Sequence, residues 1–181
     1  SWMPVEYASK IERFKNTQKT LDNEKQNKIQ YTKWLSSMKM LDFTNYSYED
    51  MIAKLDSELP SYHEENFDYS NWEQHKLPKK FEKQFGEIDA LVWYRKEFIM
   101  QNNKTDKAYK LLLGAIDDSD ETYINGVMVG KTKGWLLNRE YNIPKGLLKE
   151  GKNTIAVRVF DRSGGGGIYK GNLCIKDENN V

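Results

Sequence analysis

Apolar positions recur at two different periods along the chain, and the change from one to the other divides it. Val5, Ala8, Ile11, Phe14 and Leu21 return at three- and four-residue steps with one beat missing, and Ile29, Trp34, Leu35 and Met38 resume after a polar gap at residues 22–28. That spacing lines residues up along one helix face, so it predicts a helical lead-in with a solvated break. Ser47 is an N-cap candidate, and behind it Tyr48, Met51, Ile52, Leu55 and Leu59 form one apolar stripe that Pro60 ends. Residues 61–80 have no clean period and carry Pro78, which predicts an extended connection anchored by Phe67, Tyr69 and Trp72.

From Gly86 onward the pattern is that of strands. Leu91 to Phe98 carries β-branched and aromatic residues at both parities, the signature of a strand covered on two faces. Lys110 to Ala115 predicts a second strand. In Thr122 to Val129, Asn125-Gly126 supplies the two positive φ angles of a type I′ turn and predicts a β-hairpin. In Thr154 to Phe160, Ile155, Val157 and Val159 face one way and Ala156, Arg158 and Phe160 the other, and Ile168 to Ile175 closes the series. Short strands between Gly- and Asn-rich turns predict a mainly β fold, a jelly-roll sandwich, with an N-terminal helical region. The organisation expected is a helical lead-in over 1–60, an extended connection over 61–85 and the sandwich over 86–181.

Composition narrows the function. With 28 basic against 27 acidic residues there is no net field to gather phosphates, which argues against nucleic acid and anionic membrane as partners. The chain holds no apolar run long enough to span a bilayer and no signal-peptide order at its start, and Ser1-Trp2-Met3 suggests that processing or a boundary removed what came before. A single cysteine, Cys174, excludes an internal disulfide and reads as a small buried apolar residue. Five Trp and eleven Tyr either fill a β-core or line a surface on which sugars stack.

The second half resembles a known family. Trp93-Tyr94-Arg95-Lys96-Glu97-Phe98, Leu113 through Gly126 with its Asp117-Asp118 pair, Arg139 through Pro144, Gly151 through Val159 and the glycine run 164–167 resemble in order and spacing the galactose-binding-like β-sandwich inserted in sialate O-acetylesterase-like carbohydrate esterases. Trp72 through Pro78 resembles the segment leading into that sandwich. The sugar-binding domain of family 2 glycoside hydrolases carries a related strand, Asn-Gly hairpin and Gly-x-Asn pattern. The esterase resemblance implies a bacterial, periplasmic or secreted parent whose nucleophilic serine and Asp-x-x-His block lie on a separate SGNH hydrolase domain, here missing. It implies no catalytic residue in this chain and acetylated glycan as the partner.

The residues agree that chemistry is scarce. Only His63 and His75 can serve as imidazole bases, and no G-x-S-x-G elbow is present. Asp117, Asp118 and Asp120 either hold Ca²⁺ through hard oxygens or cap a turn, and the missing EF-hand spacing favours the turn, so no cofactor or metal is expected. Gly165 and Gly166, within the glycine run after Asp161, either let a sugar approach the backbone or make a flexible connection. Trp135 and Arg139 either stack on a pyranose and pair with a sugar carboxylate or plug and salt-bridge the sandwich end, with Asn125 as a further polar candidate. The leading expectation is a non-catalytic module shaping an esterase's substrate site. Its rivals are a stand-alone lectin-like module and the sugar-binding domain of a family 2 glycosidase.

Overall fold

Val92 and Trp93 are neighbours in one strand yet are buried in two different apolar clusters, and that alternation sets the architecture. A computed structural model describes residues 33–40, 47–57, 61–100 and 106–177. In chain order the elements are β1 (Lys33–Met40), α1 (Tyr48–Ser57), β2 (Glu73–Lys76), α2 (Phe81–Gln84), β3 (Ala90–Met100), β4 (Tyr109–Asp117), β5 (Ser119–Ile124), β6 (Val127–Lys133), β7 (Asn138–Ile143), β8 (Gly151–Asp161) and β9 (Gly167–Asp177). A six-stranded sheet runs β2-β1-β3-β8-β5-β6 and a three-stranded sheet runs β7-β4-β9. Every pairing is antiparallel. This is the mainly β, jelly-roll sandwich that the strand pattern predicts.

The sheets face each other across Trp34, Val92, Tyr94, Leu111, Leu113, Ile155, Val157 and Val159, all fully buried. The other face of the larger sheet carries Leu91, Trp93, Ala156 and Phe160, covered by Met51 of α1 and by Tyr62 and Trp72. The alternation read in β8 thus holds, with Ile155, Val157 and Val159 on one face and Ala156 and Phe160 on the other, whereas the two-face cover read for Leu91 to Phe98 holds only as far as Arg95, beyond which Glu97 is exposed. Segment 61–72 anchors itself as expected: Tyr62 meets Phe67 at 4.8 Å and Trp72 at 5.1 Å, and Tyr69 lies 4.6 Å from the Arg95 guanidinium. Ser47 caps α1, its Oγ accepting from the Asp50 amide at 3.1 Å.

Two expectations are corrected. The helical spacing through Trp34, Leu35 and Met38 belongs to a strand, in which Trp34 and Ser36 are both buried at period two. β1 pairs with β3 from Leu35↔Arg95 to Met40↔Ala90 and with β2 on its other side, so satisfied ladders and a core-filling Trp34 outweigh local preference. The larger sheet therefore draws on residues well ahead of Gly86. Cys174 is half-buried in β9, not part of the core. The helical reading over 1–32, with Leu59 and Pro60, lies outside the described residues.

Candidate functional site

The β5–β6 turn places Asn125 and Gly126 at φ +48° and +80°, as the hairpin reading requires. Asn125 spends its amide internally: Nδ2 donates to Leu147 O at 2.9 Å and to Asn153 Oδ1 at 2.8 Å, while Oδ1 accepts from the Thr154 amide at 2.9 Å. It is a clamp between turns and presents nothing to a ligand.

Arg139 and Asp120 are likewise committed inward. Their ion pair is 2.7 Å long with neither side chain exposed. Arg139 also donates to Gly134 O and Leu137 O, at 2.6 and 2.5 Å, and Asp120 accepts from Thr122 and Tyr141, each at 2.8 Å. The sugar-carboxylate role for Arg139 therefore gives way to the local one, because a guanidinium at 1% exposure with these partners has no free edge. Asp120, 3% exposed, also departs from the acidic triplet.

The remaining candidates meet at one end of the sandwich, where four connections converge. The Asp117–Asp118 corner joins β4 to β5; the Gly134 amide on the β6–β7 loop donates to Asp118 O at 2.8 Å, and the Arg162 amide after β8 donates to Asp118 Oδ2 at 2.9 Å. The glycine run is stapled to α2, since Phe81 N donates to Gly166 O at 2.9 Å and Gly166 N to Glu82 Oε1 at 3.1 Å. A side chain at Gly166 would sit 2.4 Å from Phe81 Cδ2, so only glycine lets these segments approach. Trp135 stands 53% exposed on the neighbouring loop, its carbonyl held by Tyr169 Oη at 2.8 Å.

Beside the glycines opens a cleft of about 760 Å³, lined by Gly164, Gly165, Ile88 and the charged Lys80, Glu82, Lys83, Glu87 and Asp89. Its size suits a sugar ring, and its mixed charges offer donors and acceptors to hydroxyls. Behind the glycines, carboxylate oxygens of Asp117, Asp118 and Asp161 lie within 4.8 Å of one another. Burial, then the charges of Asp118 and Asp117, push the Asp161 carboxyl up to about 8. Burial and Asp118 push Asp117 up to about 6. Neither imidazole belongs to this rim: His63 lies against Tyr123 at 4.8 Å and His75 against Phe85 at 5.0 Å, and His63 Nδ1 and His75 Nε2 are buried without hydrogen-bond partners.

Residues 54–178 match the sequence model of Glycosyl hydrolases family 2, sugar binding domain. The chain belongs to that family. Among solved structures, a Bacteroides uniformis β-glucuronidase is similar at 24% identity and TM-score 0.60, over 82% of this chain and 17% of that one. A Bacteroides vulgatus β-glycosidase is similar at 22% identity and TM-score 0.57, over 80% and 19%. A family 2 glycosyl hydrolase from Bacteroides cellulosilyticus is similar at 19% identity and TM-score 0.61, over 83% and 20%. At these identities the likeness is one of fold, and the chain spans no more than a fifth of those proteins. No curated protein matches the sequence significantly.

These matches support the family 2 side of the sequence resemblance and not the esterase side; the Asp117-Asp118 pair was too short a string to separate two related sandwiches. Within this sugar-binding domain the cleft residues Lys80, Glu82 and Lys83 went unread, because a short helix in an aperiodic connection leaves no pattern. Asp161 was visible just ahead of the glycines, yet nothing in the sequence joined it to Asp117 and Asp118, some forty residues upstream. Among the described residues no helix is long and apolar enough to cross a membrane.

Proposed function

We propose that this chain is the sugar-binding module of a family 2 glycosidase, seating a β-linked glycoside in the cleft between the glycine run and α2. Glycosidic cleavage belongs to another part of such an enzyme, acting on glycans in the periplasm or outside the cell. The observation that carries this reading is the open cleft of about 760 Å³, lined mostly by charged side chains, on a sandwich of the family 2 sugar-binding type. The glycosidase parent replaces the esterase parent because the family match and the similar solved structures are glycosidic. The exposed Trp135, Leu136 and Leu137 beside the rim suit contact with that catalytic part of the same polypeptide.

Calorimetry of the chain with methyl β-D-glucuronide and methyl β-D-galactoside tests the reading. Binding weakened at least tenfold by Lys83→Ala, with no turnover of the p-nitrophenyl glycosides, is expected. Hydrolysis of p-nitrophenyl acetate abolished by a single serine substitution would restore the esterase reading.

A further inference from the structure

The geometry points to a Ca²⁺ site formed by Asp117, Asp118 and Asp161 behind the glycine run. The three carboxylates come from the end of β4, the corner after it and the end of β8, and each offers an oxygen within 4.8 Å of the others. Two ligands on opposite sides of a Ca²⁺ bound at 2.3–2.6 Å stand about 5 Å apart, so all three oxygens fit around one ion. Asp161 is fully buried, and while its Oδ1 accepts from the Ser163 amide at 3.2 Å, its Oδ2 has no hydrogen-bond partner. Native proteins rarely leave a buried carboxylate oxygen in that state without an ion or other partner.

No Lys or Arg of the described residues forms an ion pair with any of the three aspartates. Arg139, whose charge is felt at Asp117, is held by Asp120 at 2.7 Å. Glu82 adds to the negative field: its Oε1 takes the Gly166 amide, and its Oε2 is buried without a partner. The donors are hard oxygens alone, with neither imidazole at this end, which selects Ca²⁺ over zinc or copper. An ion here ties the β4–β5 corner to the end of β8 and fixes the glycine run beside the cleft. The third ligand is therefore Asp161, forty-four residues along the chain from Asp117, in place of Asp120.

The test uses the full chain, stripped with a chelator and titrated with CaCl₂ or MgCl₂ by calorimetry and thermal unfolding. One-to-one saturable Ca²⁺ binding is expected, with Tm rising by at least about 5 °C at a hundredfold excess over Kd. Asp161→Asn should weaken binding at least tenfold while unfolding cooperatively at a Tm close to that of the chelated parent, since the amide matches the carboxyl in shape. Asp118→Asn, at a half-buried position, should lose binding as well and guards against a folding failure at Asp161. No saturable binding below about 10 mM, weaker than the weakest calcium modules, overturns the site. So does unchanged affinity in both variants, and equal affinity for Mg²⁺ overturns the calcium assignment.

Discussion

Arg139 donates through Nε to Asp120 Oδ1 at 2.7 Å inside the sandwich, with both side chains shut off from solvent. Removing one partner strands the other charge, and that is much more costly than losing a surface pair. Asp120→Ala and Arg139→Ala should each lower unfolding free energy by about 3–5 kcal/mol. Urea denaturation of the two single variants and the double variant checks this: the double should lose clearly less than the sum, because neither charge is left alone.

Asn125 carries φ +48° and three hydrogen bonds to Leu147, Asn153 and Thr154. Asn125→Ala should therefore cost about 2–3 kcal/mol through strain and lost bonds together. Asn125→Gly keeps the turn angle and loses only the bonds, so its chemical denaturation midpoint should fall between those of the parent and the alanine variant.

At Gly130 a Cβ would meet the Tyr141 ring at 2.0 Å. Tyr141 cannot simply swing away, because its hydroxyl donates to Asp120 Oδ2 at 2.8 Å. Gly130→Ala should destabilise by about 1–3 kcal/mol. Thermal unfolding should show the loss shrinking in a Tyr141→Phe background, where the ring is free to shift.

Burial holds the His75 imidazole below its ordinary pKa of 6.5. As pH falls the unfolded chain takes this proton first, so the stability that neutral His75 contributes is present above about pH 6.5 and is lost below it. Between about pH 7 and pH 5 the parent should lose more stability than His75→Gln in urea titrations. The raised Asp117 and Asp161 act in the opposite direction but equally in both chains, so they cancel in the comparison.

The legible parts were those where one local rule acts alone. Asn125-Gly126 demands its turn wherever it sits, and the alternation of Ile155, Val157 and Val159 against Ala156 and Phe160 survives because both faces of β8 are covered. Trp34, Leu35 and Met38 misled because three such positions satisfy a helix or a strand, and the β3 ladder that decides between them is distant in sequence. Arg139 stays open in sequence between a sugar ligand and a local salt bridge, because an arginine near Trp135 looks the same whether it points out or in. The Asp161 carboxylate joins Asp117 only through the return of β8 beside β5, information that spacing does not carry.

Where a sugar touches the surface is the most direct question to put to the chain. Amide chemical-shift mapping by NMR during titration with a methyl β-D-glycoside should perturb Lys83, Gly164 and Gly165 and leave the hairpin tip at Asn125 and Gly126 unmoved. Perturbation confined to that tip, or saturating glycoside that moves neither region, would contradict a sugar-binding rim at the glycine run.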